Sequence, residues 1–258
     1  MNPTGTTTPS STTADATATG SASTGPTSTS TRTSTTAGSD RPLATRPEPS
    51  DLAMPAVSSG LLMAAYLALR PYGDTASGTS AEAAAAFADP MWVLAHLAGA
   101  LALVQLGRVA LRMHDLVGSL LTQIGRWSGL AGAVLVLPYY GAETFGLHAV
   151  GRAGLTDPAV MALVDEIRNQ PAALTTFGIG LLLLAVSGVT VALAWRREVR
   201  SGRWDAPAWA AWPLAVGAVT VLPQYSLPPA GRVMYGFAFA TAALVLAIAA
   251  GRASRTGR

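Results

Sequence analysis

The chain has no cysteine and no lysine, and only three of its 258 residues are histidine. Without cysteine there is no disulfide framework, no thiolate metal site and no cysteine nucleophile. Charge is scarce as well: 12% of residues are charged, about half the share of an ordinary soluble domain. A net formal charge of +3, evenly spread, offers no basic face for nucleic acid. Also missing are a phosphate-binding glycine loop, a nucleophile elbow and any helix with several acids or bases in register. These residues announce no reaction and imply no cofactor.

What is present is mostly apolar. Half of the residues are hydrophobic, and apolar runs of about 18 or more recur, so the bilayer is the expected solvent and partner. Residues 1–51 differ, being nearly all Ser, Thr, Ala, Gly and Pro. That composition cannot offset chain entropy by burial and reads as a disordered tail. It lacks the basic start and apolar run of a secretory signal.

The fold class expected is all-α: a polytopic integral membrane protein with six transmembrane helices across 52–251 and a short cytoplasmic tail, 252–258. The spans begin and end near 52–69, 91–111, 121–140, 171–195, 207–225 and 233–250. Thr79-Ser80-Ala81-Glu82 fits a capping box for a short helix through Phe87. Asp89-Pro90 and Asp157-Pro158 each supply an N-cap and a first-turn proline. The longest internal loop is 141–170, where Val160, Leu163, Val164 and Ile167 form one apolar stripe and Asp165, Glu166 and Arg168 lie off it. This reads as an amphipathic helix lying on the membrane or over the bundle.

One stretch occurs twice. Trp127 to Tyr140 reads WSGLAGAVLVLPYY, and eighty-five residues later Trp212 to Tyr225 reads WPLAVGAVTVLPQY, with eight of fourteen positions identical. A tryptophan, a proline and a tyrosine in one register are harder to match by chance than the apolar residues between them. The two copies are expected to cross in the same sense, with Tyr140 and Tyr225 side by side, and the chain to be built from repeated helical hairpins.

Arginine placement sets the orientation. Ten arginines (108, 112, 126, 196, 197, 200, 203, 252, 255 and 258) fall on one side and four (70, 152, 168 and 232) on the other. By the positive-inside rule both termini face the cytoplasm, in a cell membrane of bacterial type. Trp127, Trp195, Trp204, Trp209 and Trp212 fall on the arginine-rich side, and Tyr72, Tyr139, Tyr140, Tyr225 and Tyr235 on the other. Both sets suit membrane interfaces.

The residues able to bind something gather near the outer ends of spans 1, 3 and 5: His96, Tyr139, Tyr140, Glu143, His148, Gln224, Tyr225 and Arg232. An ionisable group such as His96 inside a span marks a functional site by default, against a plainer role as a hydrogen-bonded link between helices. Glu143 and His148, five apart on a helix, lie about 140° around the axis and do not share a face. Pro138 and Pro223 each free a backbone carbonyl, which suits a cavity wall or a simple helix stop. Gly125-x-x-x-Gly129 permits close helix approach.

Three readings follow. The chain binds or passes a small solute or ion through an outer site; or it is a non-catalytic accessory subunit packed on a membrane-protein partner or on its own copies; or it is a membrane enzyme holding a metal or haem with His96, Glu143 and His148.

Overall fold

The computed structural model describes residues 47–256. The disordered tail expected over 1–51 lies outside them except for its last residues, which are ordered: a 3-10 turn, Pro49–Leu52, leads directly into the first helix. Among the described residues there is no strand. The helices are α1 (Ala53–Leu69), α2 (Ala81–Ala88), α3 (Pro90–Val117), α4 (Leu120–Gly141), α5 (Leu147–Gly154), α6 (Leu163–Arg168), α7 (Pro171–Arg200), α8 (Trp212–Thr220) and α9 (Pro229–Thr256). Five helical stretches, Pro49–Leu69, Pro90–Val117, Leu120–Gly154, Pro171–Arg200 and Pro229–Arg255, are long and apolar enough to cross a bilayer. The protein is a multi-pass helical membrane protein.

Local chemistry sets most boundaries. Ser80 accepts from the Ala83 amide at 3.1 Å to start α2, and Asp89 accepts from Met91 at 2.8 Å to start α3. Gly118, with φ of 66°, ends α3 and donates to the His114 carbonyl; only glycine takes that left-handed turn at no cost. Ser119 and Thr122 then form a reciprocal cap for α4. The Gln170 side chain caps α7, whose first residue is Pro171.

Two expectations need correcting. The segment 141–170 is mostly helical. Pro138 removes one hydrogen bond without ending α4, and a π-helical turn, Ala142–Gly146, carries the helix on into α5. Within 207–225 only nine residues are α-helical. Pro223 cannot donate to the turn before it, so α8 stops at Thr220 and a 3-10 turn, Pro223–Ser226, follows. At the C-terminus α9 continues to Thr256, through the start of the expected tail.

Packing forms a closed ring. α1 touches α3 and α9, and the pairs α3–α4, α4–α7, α7–α8 and α8–α9 complete the circuit. Small residues set the spacing: a Cβ on Gly132 would stand 2.7 Å from the Gly180 carbonyl oxygen, and one on Gly107 2.7 Å from that of Gly129. Gly125 meets Thr190, and Gly129 meets Ser187 and Gly107, so this glycine pair does mark a close approach. The two described ends meet, with the Ser50 amide donating to Ser254 Oγ at 2.7 Å. At the opposite end α2, α5 and α6 form a cap with its own core of Phe87, Trp92, Leu147, Val150, Met161 and Val164. Leu101, Leu182, Leu244 and Ile248 face outward in mid-helix, as lipid-facing residues do.

Candidate functional site

Beneath the cap lies a cavity of about 830 Å³, within the usual range for small-molecule sites. Its floor and walls come from α1 (Tyr66), α3 (His96), α4 (Tyr139, Tyr140), the π turn (Glu143), α6 (Arg168) and α7 (Phe177). Tyr225, Leu227 and Arg232 close the remaining side.

The polar half is a cluster of four charged side chains. Arg168 donates through Nε to Glu143 Oε1 at 2.9 Å and through Nη2 to Glu143 Oε2 at 3.2 Å. The same Nη2 reaches Asp74 Oδ2 at 2.8 Å, and Arg70 Nη2 donates to that oxygen at 2.7 Å. Asp74 Oδ1 and Arg70 Nη1 are buried without a partner. The guanidiniums lie over aromatic faces, Arg70 at 4.7 Å from the Trp92 ring centre and Arg168 at 5.1 Å from that of Phe87, a further source of attraction. Burial alone would raise the Asp74 carboxyl, but Arg70 and Arg168 outweigh it and hold the group below the usual carboxylate range. Burial likewise opposes the charge on Arg168, yet Glu143 and Asp74 prevail and raise its pKa.

The π turn aims Glu143 inward. Turns of this kind widen a helix by one residue and recur at functional sites. Here the Glu143 carbonyl accepts from the Trp92 indole N–H at 2.7 Å while its carboxylate faces Arg168. Trp92 also fixes His96, whose Nδ1 lies 2.7 Å from the Trp92 carbonyl and whose ring sits 4.1 Å from the indole. The other ring nitrogen, Nε2, is 3.9 Å from Glu143 Oε2.

The aromatic half is a cage. Tyr139 stacks on Phe177 at 4.5 Å between ring centres, and Phe177 meets Tyr140 and Tyr225 edge-on at 6.0 Å. The Tyr140 and Tyr225 hydroxyls are 3.2 Å apart, so the two repeated tyrosines do come together. Arg232 ties the rim by donating to the Leu227 carbonyl at 2.8 Å and to that of Tyr225.

Of the residues singled out from sequence, His96, Tyr139, Tyr140, Glu143, Tyr225 and Arg232 line this cavity. Two do not. His148 turns away, its Nδ1 2.7 Å from the Phe87 carbonyl, and joins α5 to α2. Gln224 is buried and its Oε1 has no partner. On a 3-10 turn successive side chains point about 120° apart, so Tyr225 facing the cavity carries Gln224 off it. Tyr72 is also outside, its hydroxyl donating to the Leu67 carbonyl at 2.7 Å. The set of His96, Glu143 and His148 is therefore not assembled, and among the described residues no three His, Asp or Glu side chains converge as metal ligands. His114, near the other end, pairs with Thr122 Oγ1 at 3.1 Å.

Sequence reading missed Tyr66, Arg70, Asp74, Arg168 and Phe177. Arg168 lies off the apolar stripe of α6, and it is the centre of the cluster. No known protein family, curated protein or solved structure matches this chain.

Proposed function

We propose that this protein binds a small polar solute in the cavity beneath the cap, on the outer side of a bacterial cytoplasmic membrane, with both termini in the cytoplasm. The observation that carries the reading is the convergence of Glu143, Arg168, Asp74, Arg70 and His96 on one cavity in a chain with so few charges. Buried ion clusters are weak stabilisers, and ionisable groups within a span, as His96 and Glu143 are, serve substrate or ion pathways by default. The glycine contacts joining α3, α4 and α7 below the cavity support a state open only toward the cap.

The membrane topology rests on two supports. The described ends share a hydrogen bond, Ser50 to Ser254, which supports an even number of crossings. In this reading the segment 207–225 is the sixth, supported by Pro207 accepting from Trp195 at the arginine-rich end and by Tyr225 meeting Tyr140 at the cavity end. On this proposal α8 and its flanking turns cross the bundle as an interrupted helix, and the hairpins α1–α3, α4–α7 and α8–α9 are the repeated units. The competing reading, an accessory subunit, draws on an apolar groove of about 480 Å³ lined by Trp209, Trp212, Val216 and Phe239.

The test uses the absence of natural cysteine. Tyr140→Cys and Tyr225→Cys, separately, should each react with a membrane-impermeant thiol reagent added outside, and a short bifunctional reagent should join them in the double variant. Failure of both to react, with the chain correctly inserted, removes the solute site and leaves the accessory reading.

A further inference from the structure

The geometry points to a primary ammonium group as the part of the solute held deepest, between His96 Nε2 and Glu143 Oε2. This inference rests on the solute-binding reading. His96 is buried at 2% exposure, and its Nδ1 faces a carbonyl oxygen at 2.7 Å. A carbonyl can only accept, so Nδ1 carries the hydrogen and Nε2 presents a lone pair. Had Nε2 carried a proton as well, it would be drawn to the carboxylate at about 2.8 Å. The separation is instead 3.9 Å, too long for a hydrogen bond.

Two acceptors therefore face each other on the cavity wall, and Glu143 Oε2 also accepts from Arg168 Nη2 at 3.2 Å. An atom making hydrogen bonds of about 2.8 Å to both would sit about 2 Å off the line joining them. To satisfy both, it must donate twice. A hydroxyl has one hydrogen and a quaternary ammonium has none; water and a neutral amide have two, and a primary ammonium has three and carries the charge that a carboxylate attracts. Positive charge suits the place, since the Glu143 carboxylate forms one of its walls.

The surrounding charges permit it. Asp74 and Glu143 offset Arg70 and Arg168 through the direct contacts described above. Arg232 is tied to backbone carbonyls at the rim, which suits a solute carrying an anionic group beyond its amine.

The experiment uses the full chain in lipid nanodiscs, labelled with ¹⁵N-histidine; its three histidines give three resolvable rings. Methylammonium is the probe, because it fills the slot without requiring the rest of the solute. At neutral pH it should move the His96 Nε2 resonance saturably while His114 and His148 stay still. Tetramethylammonium and methanol should not, and Glu143→Gln should weaken the methylammonium response at least tenfold, with His114 and His148 reporting an intact fold. No saturable change, or an equal response to methanol or tetramethylammonium, overturns the inference: the slot then holds water or is indifferent to the donor. If Tyr140→Cys and Tyr225→Cys are labelled from outside but methylammonium has no effect, only the amine assignment falls. If they are not labelled, the solute site falls with it.

Discussion

Arg168 reaches two carboxylates at once, Glu143 and Asp74, with 21% of its side chain exposed and theirs at 11% and 5%. Removing one partner of a buried pair strands the other's charge. Arg168→Gln strands Glu143 and leaves Asp74 with Arg70 alone, and we expect it to lower unfolding stability in detergent by about 3 kcal/mol. Arg203→Gln, which loses a half-exposed pair with Glu198, should cost about 1 kcal/mol or less. Equal effects from the two would show that the cluster is solvated and not part of the folded core. The same cluster sets a pH dependence. Asp74 is held below its ordinary value, so its contribution is complete above about pH 4 and is lost as pH falls through the lower folded value. Thermal melting followed down in pH should fall off on the acid side in the wild type, and less steeply in Asp74→Asn.

Helix contacts depend on glycines whose roles differ by neighbour. A Cβ at Gly132 would meet Gly180 and Leu184 backbone atoms at 2.7 and 2.9 Å, whereas one at Gly141 meets nothing within 4 Å. Backbone cannot move aside as a flexible side chain can. Gly132→Ala should therefore separate α4 from α7 and cost about 1–3 kcal/mol. Gly141→Ala, in a helix with open space, should stabilise by up to about 1 kcal/mol through propensity alone. Melting temperatures of the two variants check this, and a neutral Gly132→Ala would mean that the α4–α7 contact is looser than described.

At the scale of the whole molecule, the hydrogen bond between Ser50 and Ser254 places both described ends on one face of the bundle. A reporter active only in the cytoplasm should give signal when fused after Arg258 and when inserted at Gly202, in the α7–α8 connection. Inserted at Ser77, in the loop before α2, it should be silent. Signal at Ser77 and silence at Gly202 would invert the orientation and turn the cavity toward the cytoplasm.

Composition and periodicity by themselves determined the membrane class, the helix starts at Ser80, Asp89 and Gln170-Pro171, and the meeting of Tyr140 with Tyr225. These follow from local or periodic rules: apolar length, a capping side chain, one register used twice. Polarity alone also marked His96, Glu143 and Arg232. It did not single out Arg168, Asp74 or Arg70, because a charged residue on a short helix or loop looks the same whether it faces water or a cavity. Arg168 lies 94 residues from Asp74 and 25 from Glu143, and only the folding of the cap over the ring brings them together. The inward turn of Glu143 depends on a π turn after Pro138, and the burial of Gln224 on a 3-10 turn after Pro223. Proline predicts a break in the α-helix, but which irregular turn follows is decided by the packing the freed backbone must satisfy, and that exists only in the tertiary structure.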